Sequence, residues 1–374
     1  MFLCSICNQA NGNAFHIGQC HICENKAEKA LATAHEAARI LKEEKGLRSF
    51  CISTTIPAEW LTREEDVWDL RMDKSESVKN SLNRVIVKRL REETGLDYNS
   101  ADGDCRAKFD FSSPEPKFSI ERTQLFIFGR YNKLVKGLSQ SRWLCATCEG
   151  KGCPSCNNKG KNYESVEERI GDPSKNAAGA DDYVMHASGR EDVDATNTAG
   201  RGFVLELKNP KKRELDLGAL AAEIGKNGEV SVENLRIVRR ADVELVTESH
   251  FDKTYEADVE FGRALDMVND SSMIRSLEGN TILQQTPTRV AHRRANLVRH
   301  RKVKHIEPAN LKDNHGTLII KAEAGTYIKE LISGDNGRTK PSVAELLKTN
   351  AVCTKLAVVD IDDGFLDLCL NKRQ

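Results

Sequence analysis

Helical spacing of apolar residues marks two stretches in the first hundred residues. Residues 24–46 carry apolar side chains on one face and end at a glycine, and residues 75–95 show the same pattern. Ser75 or Ser77 would cap the second stretch and Gly95 would close it, because serine favours helix starts and glycine follows helix ends. The pattern therefore predicts two amphipathic helices.

Alternation of apolar and polar residues predicts strands around these helices. Residues 47–57 (LRSFCISTTIP) alternate, and AKFDFS and FSIERTQLFIFGRYN continue the pattern further along the chain. Helices and strands mixed in one segment are typical of helices that pack against a sheet. Residues 45–143 are therefore expected to form a compact α+β domain.

The later part of the chain also mixes helical and strand patterns. Residues 172–192 are rich in turn-forming residues and predict loops with a few short elements. The fold class predicted for the whole chain is α+β. Strands are expected at 202–207, twice within 235–261, near 317–323 and within 355–370, and helices at 215–228, 326–333 and 341–348.

The composition indicates a soluble protein with two or three domains. The chain has 374 residues, 39% of them hydrophobic, and no apolar run is long enough to span a membrane. Its start, MFLCSICNQANG, lacks the regions of a secretory signal, which favours the cytoplasm. Nucleotide-binding glycine loops, the GxSxG frame and the HExxH frame are all missing, so those enzyme classes are poor candidates.

Charge is balanced over the chain but concentrated in one segment. The formal net charge is zero, whereas residues 289–304 hold seven Lys or Arg, two His and no acidic residue. Such a block suits the phosphates of a nucleic acid, and a solvated charged helix face is the alternative. The candidate RNA-binding residues are Arg289, Arg293, Arg294, Arg299 and Arg301.

Eight of the twelve cysteines form CxxC pairs. Disulfides are disfavoured in the cytoplasm, so metal binding is the leading explanation, and zinc is the expected metal. Twelve residues separate the first two pairs, enough to close a site with four cysteine ligands, whereas four residues separate the last two pairs. Sharing ligands with another pair is the alternative for the second set. The two sets are Cys4, Cys7, Cys20 and Cys23, and Cys145, Cys148, Cys153 and Cys156.

Four motifs in order carry a resemblance to a known family. They are ASGREDVD (187–194), KTYEA (253–257), LQQTPTRVAHRRANLVRHRKV (283–303) and AGTYIKELISGDNGRTKPSV (324–343). Together they resemble the archaeal THUMP-bearing tRNA pseudouridine synthases, the tenth such family in the eukaryotic naming. The stretch GRYNKLVKGLSQSRW, followed by paired cysteines, resembles the accessory region of that family.

The resemblance implies isomerisation of uridine 55, and also of uridine 54, in the T-loop of tRNA. It makes Asp192 the nucleophile and places Lys329 at the basic position usually paired with it, and Arg190 is the alternative source of that positive charge. Tyr255 and Tyr327 match substrate-contacting tyrosines. An ionised carboxylate can attack the base or the sugar, and an aromatic face can hold a uridine that has left its stack. The chemistry needs no cofactor.

The resemblance also implies a domain order. A Cys4 zinc module is expected over residues 1–30 and a THUMP-like RNA-binding domain over 31–165, which would include the second cysteine set. A mixed-sheet catalytic domain of pseudouridine synthase type would follow over 166–374. The expected partner is the T-arm of tRNA, with no membrane and no obligate protein partner.

The sequence departs from the family just after the nucleophile. The family follows GREDVD with VRMLG and then GRPF, whereas residues 195–199 are ATNTA and residues 200–203 are GRGF. Glu191 and Asp194 are expected to be solvated. The alternative function is a non-catalytic tRNA-binding or chaperone protein. A THUMP-bearing methyltransferase or thiolation enzyme would need a glycine loop that binds a dinucleotide or pyrophosphate, and this sequence has none. A redox protein would use its CxxC pairs in thiol–disulfide exchange.

Overall fold

The computed structural model describes residues 1–70, 76–293 and 295–371, with backbone only at 292, 293 and 371. Within these residues the chain forms two compact units. The first comprises 1–125, 175–182 and 207–215, and the second comprises 126–174, 183–206 and 216–374.

Strand and helix formers of the first unit build a four-stranded sheet with helices beside it. The sheet order is β4 (Asp97–Tyr98), β3 (Ser49–Thr55), β5 (Cys105–Asp110) and β6 (Lys117–Arg122), with β3 parallel to both neighbours and β5 antiparallel to β6. Its core joins apolar faces of helices and sheet, among them Leu41, Ile86, Phe50 and Phe109. The strands are β1 (Phe2–Leu3), β2 (His16–Ile17), β3 (Ser49–Thr55), β4 (Asp97–Tyr98), β5 (Cys105–Asp110) and β6 (Lys117–Arg122), and the helices are α1 (Ser5–Ala10), α2 (Ala30–Glu43), α3 (Ala58–Trp68) and α4 (Val78–Thr94).

Both helices predicted in this unit are present. Ser77 caps α4 by accepting a hydrogen bond from the Asn80 backbone N–H at 3.2 Å, and Gly95 ends it in the left-handed region at φ 72°. Ser75, the other cap candidate, lies outside the described residues. Helix α2 follows a short 3-10 turn and ends before the predicted glycine.

The rest of the chain alternates strands and helices as its apolar pattern suggests. The strands are β7 (Leu125–Lys133), β8 (Trp143–Leu144), β9 (Lys161–Tyr163), β10 (Asp182–Ala187), β11 (Ala195–Lys208), β12 (Val230–Val238), β13 (Lys253–Phe261), β14 (Thr281–Gln285), β15 (Val298–Lys312), β16 (His315–Ala322), β17 (Thr339–Lys340) and β18 (Ala351–Ile361). The helices are α5 (Val166–Ala178), α6 (Leu217–Gly225), α7 (Ala241–Thr247), α8 (Asn269–Arg275), α9 (Ile328–Ser333), α10 (Val343–Leu347) and α11 (Gly364–Asn371).

A ten-stranded sheet organises the second unit within the described residues. Its order is β12-β7-β11-β18-β13-β16-β15-β14-β17, and β10 pairs with β11. Strands β11 and β18 run parallel, whereas every pair from β18 to β17 runs antiparallel. The sheet is therefore mixed and the α+β prediction is confirmed. No helix in the described ranges has both the length and the apolar character needed to cross a membrane.

Two predicted segments differ from the structure. Residues 172–178 belong to helix α5, so the loop-rich prediction is wrong there: burial of Val166, Ile170 and Ala178 on one helix face outweighs the proline inside it. The strand predicted within 355–370 is present as β18 up to Ile361, but Gly364–Asn371 form helix α11, because Leu366 and Leu370 are the buried residues and four-residue spacing is helical.

The second unit begins at Phe126, inside the segment predicted as the RNA-binding domain. The cause is strand β7, which pairs antiparallel with β12, for example Phe126 with Val238 and Lys133 with Val230. The apolar run that predicts β7 gives no sign of this long-range partner.

Candidate active site

A cavity of about 380 Å³ lies in the second unit. Its lining combines the loop between β10 and β11, the start of β13, the basic segment and the approach to α9. Asp192, Tyr255, Tyr327, Lys329 and Arg289 all line it. The structure thus brings together the four residues that the sequence motifs single out, and adds an arginine from the basic segment.

The loop that carries Asp192 turns sharply at Gly189. This residue has φ 83°, a left-handed conformation in which a side chain would be strained, and a Cβ there would lie 3.2 Å from Nη1 of Arg201. The glycine in GREDVD is thus explained by both its conformation and its close packing. The Asp192 side chain beyond the turn keeps 30% of its surface exposed.

Lys133 of strand β7 supports the backbone of this loop. The Lys133 side chain, which is fully buried, donates hydrogen bonds to the backbone carbonyls of Leu138 at 2.7 Å, Asp192 at 2.9 Å and Val193 at 3.0 Å. Burial lowers the pKa of Lys133 below its ordinary value, while the acidic residues of the loop oppose that shift. All three donors of the ammonium group are used, so Lys133 fixes the backbone at Asp192.

A buried ion pair also supports the loop. Arg201 contacts Glu191 at 2.9 Å, with both side chains only 1% exposed, and donates a second hydrogen bond to the carbonyl of Ser188. The hydroxyl of Tyr131 lies 3.0 Å from the Glu191 carboxylate and accepts a hydrogen bond from Gln140. Burial lowers the pKa of Arg201, but Glu191 together with Tyr131 and Tyr255 opposes it, and the net shift is upward. The prediction that Glu191 is solvated was wrong.

Asp192 has two basic neighbours at different distances. Nη1 of Arg289 lies 2.8 Å from Oδ2 of Asp192, and Nε of the same arginine contacts Glu330 at 2.7 Å. Nζ of Lys329 is 4.0 Å from Asp192 and 2.6 Å from Asp194. Burial opposes ionisation of Asp194, yet the Lys329 hydrogen bond holds the pKa of this carboxyl below its ordinary value. Arg289 is the closer charge partner of Asp192.

Tyr255 lies inside strand β13, between Ile320 on one neighbouring strand and Val358 on the other. It is 9% exposed and lines the cavity. Burial raises the pKa of Tyr255 to about 12, Arg201 opposes this shift, and Asp192 adds to it. Its hydroxyl therefore keeps its proton at neutral pH.

Lys253 precedes Tyr255 by two residues and lines the same cavity. Its ammonium group donates to the carbonyl of Phe251 at 3.0 Å. Burial, helped by the charge of Arg201, lowers the pKa of Lys253 to about 8. Lys253 is the first residue of the KTYEA motif, but nothing in the motif indicates that its ammonium group is buried.

Tyr327 is held by its main chain at the start of helix α9. The buried amide side chain of Gln284 donates to the Tyr327 carbonyl and accepts from its N–H, both at 2.9 Å. The guanidinium of Arg299 lies 5.8 Å from the centre of the Tyr327 ring, and Arg299 donates to the hydroxyl of Thr286 at 3.0 Å. The QQT part of the motif therefore orients this tyrosine and its cationic neighbour.

The basic segment (residues 289–304) begins in a short 3-10 helix, Thr288–Arg293, and continues into strand β15, where its side chains alternate. Arg299 and Arg301 line the cavity, while His300 and Lys302 between and beside them are exposed. Arg301 donates to the carbonyl of His300 at 2.8 Å. Arg294 and the side chain of Arg293 lie outside the described residues.

Both cysteine sets are gathered as a metal site requires. Within each set the sulfur atoms lie within 4.8 Å of one another. Sulfur separations of 3.5 Å in the first set and 3.8 Å in the second agree with a tetrahedral zinc site, where Zn–S bonds of about 2.3 Å place sulfurs about 3.8 Å apart. Each set is therefore complete by itself. The first set is Cys4, Cys7, Cys20 and Cys23, and the second is Cys145, Cys148, Cys153 and Cys156.

The contacts of Arg201 and the pairing of Arg289 with Asp192 were not predicted from the sequence. The GRGF segment carried a signal for Arg201, since it retains the arginine of the family frame GRPF. No local signal distinguishes Arg289 from the other arginines of the basic segment. Its role depends on where Glu330 and Asp192 lie in the folded sheet.

Comparison with known proteins gives one consistent match. The family model described as "Pus10, C-terminal" matches residues 126–362. The protein named tRNA pseudouridine synthase Pus10 from Archaeoglobus fulgidus is 35% identical over 96% of this chain and 100% of its own length. Proteins of the same name from Methanopyrus kandleri and Methanocaldococcus jannaschii are 35% and 46% identical, over 92% and 66% of this chain and 81% and 55% of their own lengths.

Solved structures give a weaker likeness. The crystal structure of a Cbf5-Nop10-Gar1 complex matches with a TM-score of 0.34 at 16% identity, over 62% of this chain and 48% of that one.

Proposed function

This chain belongs to the Pus10 family of tRNA pseudouridine synthases, and we propose that it converts uridine to pseudouridine in the T-loop of tRNA, at position 55 and also at position 54. The observation that carries the proposal is the ion-paired carboxylate of Asp192 at a cavity of about 380 Å³. A cavity of this size suits a small ligand or a single flipped nucleotide.

The isomerisation itself balances without any cofactor. The C1′–N1 glycosidic bond breaks, a C1′–C5 bond forms, C5 loses a proton and N1 gains one. Asp192 supplies the anionic oxygen that attacks the base or the sugar. Arg289, at 2.8 Å, stabilises this carboxylate as an anion and sets its direction, while Glu330 holds Arg289.

The two tyrosines supply the surfaces that a flipped uridine needs. Tyr255 is nearly buried at the wall of the cavity, and Tyr327 lies at the same cavity beside Arg299. A base that leaves its stack is stabilised by contact with aromatic rings. Because its pKa is about 12, the Tyr255 hydroxyl acts as a hydrogen-bond donor rather than as a base at neutral pH.

The rest of the tRNA would contact the basic segment and the N-terminal part of the chain. Arg299 and Arg301 at the cavity would meet phosphates next to the target uridine, and exposed Lys302 would meet a phosphate further along the T-arm. We retain the THUMP-like RNA-binding domain over 31–165 and the catalytic domain over 166–374 as part of the proposal. Residues 126–165 are the exception, since β7 and the segment with the second cysteine set belong to the second unit.

Zinc is proposed at both cysteine sets as a structural ion. The sulfur separations and the Cys4 donor sets fit Zn²⁺, and zinc there would tie each pair of CxxC turns together. The free thiols required for this binding are maintained in the cytoplasm, where we place the enzyme and its tRNA substrate.

Pseudouridine mapping on an unmodified tRNA transcript tests the proposal. Wild type should form pseudouridine at 55 and at 54, and Asp192→Ala and Asp192→Asn should form none while still binding tRNA. A folded, tRNA-binding wild type that forms no product would favour the non-catalytic tRNA-binding alternative. Product from the Asp192 variants would leave the enzyme in place and remove Asp192 as its nucleophile.

A further inference from the structure

A hairpin in the second unit presents large apolar side chains to solvent. We call it the cysteine ribbon (residues 143–163), bounded by the paired strands β8 and β9. Trp143 is 40% exposed, Leu144 54% and Tyr163 41%. The rings of Trp143 and Tyr163 lie 5.5 Å apart at 46°. Neighbouring exposed apolar groups of this kind mark interaction sites more often than single exposed residues do.

Hydrogen bonds next to its two ends attach the ribbon to the rest of the second unit. Ser139 and Ser165 form a bridge between the two ends, and the Ser139 N–H donates to the carbonyl of Glu164 at 2.9 Å. The backbone N–H of Arg142 donates to Glu167 on helix α5, also at 2.9 Å. The aromatic pair is therefore presented from a fixed position rather than from a free loop.

Residues 137–140, just before the ribbon, contact the loop between β10 and β11 that carries Asp192. Nε2 of Gln140 donates to the carbonyl of Gly189 at 2.6 Å, and the Gly137 N–H donates to the carbonyl of Val193 at 2.8 Å. Trp143 follows Gln140 by three residues, so their Cα atoms are at most about 11 Å apart. The aromatic pair therefore begins three residues from a direct contact with the loop that carries Asp192.

Charge on the ribbon suits a polyanion beside these rings. Lys151 and Lys159 are exposed and make no ion pair with any residue in the described part of the chain. Lys161 is neutralised by Glu164 and Glu168, and Glu149 is the exposed acid between the two CxxC pairs. Exposed rings with nearby free cations are the combination that binds unpaired nucleotides.

We propose that the cysteine ribbon is a second tRNA contact, in which Trp143 and Tyr163 stack on an unpaired base while Lys151 and Lys159 meet its flanking phosphates. The proposal rests on tRNA being the substrate. It assigns the ribbon a role in holding the substrate and leaves the reacting groups to the Asp192 cavity. Base stacking on such rings tolerates any base, so the contact would add affinity without selecting a sequence.

Equilibrium binding of full-length protein to a tRNA transcript tests the contact. Replacing both rings, Trp143→Ala with Tyr163→Ala, should raise the dissociation constant about tenfold. Replacing both lysines, Lys151→Gln with Lys159→Gln, should reduce the slope of log affinity against log salt by about 2. Glu149→Gln on the same ribbon is the matched control and should not weaken binding. Zinc content and thermal midpoint report whether each variant is folded.

Each outcome decides the proposal. Unchanged affinity in the ring variant, or equal weakening in the Glu149→Gln control, overturns it. Should the ring variant lose its fold, the lysine variant decides alone, and an unchanged salt slope overturns the proposal. Pseudouridine formation is scored separately. A wild type that binds tRNA without making product refutes the proposed function, while the ring effect on binding still decides the ribbon.

Discussion

At the residue scale, Asp192 depends on a basic neighbour that the family motif does not single out. Arg289 contacts its carboxylate at 2.8 Å and is itself fixed by Glu330, whereas Lys329 lies at 4.0 Å and is engaged by Asp194. A charge at hydrogen-bond distance orients a carboxylate as well as stabilising it, while a charge at 4.0 Å acts mainly through its electrostatic attraction.

Removing Arg289 should therefore impair the reaction more than removing Lys329. We expect Arg289→Met to lower the single-turnover rate at saturating tRNA about 100-fold, because the carboxylate loses its orientation. Lys329→Met should cost about tenfold. Arg289→Lys should recover part of the loss, which a purely structural role would not require. Equal losses, or the opposite order, would restore Lys329 as the principal partner.

Lys253 is the residue whose charge should appear in the pH dependence of stability. The folded protein holds its pKa near 8, mainly through burial, against an ordinary value of 10.5. Between these two values the unfolded chain binds a proton that the folded chain has released. The contribution of Lys253 to the free energy of unfolding therefore rises with pH from about 8 to 10.5, and below 8 the full penalty remains.

Chemical denaturation of wild type and Lys253→Met from pH 7 to 10 measures this contribution. The variant should be the more stable protein at pH 7, and its advantage should shrink as pH rises above 8. An advantage that does not change with pH would mean that Lys253 titrates normally in the folded state.

At the scale of elements, the loop between β10 and β11 is fixed mainly through its own carbonyl groups. Lys133 of β7 binds the Asp192 and Val193 carbonyls, and Arg201 of β11 binds the Ser188 carbonyl. Two neighbouring strands therefore fix the backbone of the loop, while the Asp192 side chain stays available at the cavity. Preorganisation of this kind places a reacting group without using its own hydrogen-bonding capacity.

Lys133→Met should show this support directly. Three carbonyls would lose their donor, so the free energy of unfolding should fall by about 1–3 kcal/mol. The rate of the chemical step should fall with little change in tRNA affinity, since the fully buried Lys133 side chain has no surface that an RNA could contact. Lys133→Gln keeps an amide donor and should lie between wild type and Lys133→Met. A variant that loses tRNA affinity but keeps the single-turnover rate would rule out this positioning role.

At the scale of the whole molecule, the two cysteine sets belong to different compact units. All four cysteines of the first set are buried, whereas Cys148 and Cys153 in the second are partly exposed. Solvent and small molecules therefore reach the sulfur atoms of the second set more easily, although both sets consist of four cysteines.

Zinc analysis should give about two ions per chain, one for each Cys4 set. Cys7→Ser and Cys148→Ser should each remove one ion. During incubation with a chelator, the second set should lose zinc first, because its sulfurs are more exposed. Atomic emission at successive times measures both effects. A single ion per chain, or simultaneous loss from both sets, would contradict the assignment.

Much of the architecture follows from local sequence because the physics of single elements is local. Helix α4 keeps its predicted serine cap and glycine end, and the CxxC spacings bring four thiols together in each set. Asp192, Tyr255, Tyr327 and Lys329 line one cavity, as the ordered motifs imply, although their roles stay predictions until activity is measured.

What the tertiary structure alone decided involves partners that are distant along the chain. Arg289, between β14 and β15, meets Asp192, just before β11, although the three strands β18, β13 and β16 separate β11 from β15 in the sheet. Glu191 is buried in an ion pair with Arg201 of β11. Helix α11 likewise forms where local alternation suggests strand, since its buried leucines pack against Phe128. Local pattern sets the conformation and chemistry of each segment, but a buried charge or ion pair depends on long-range packing, which one segment does not encode.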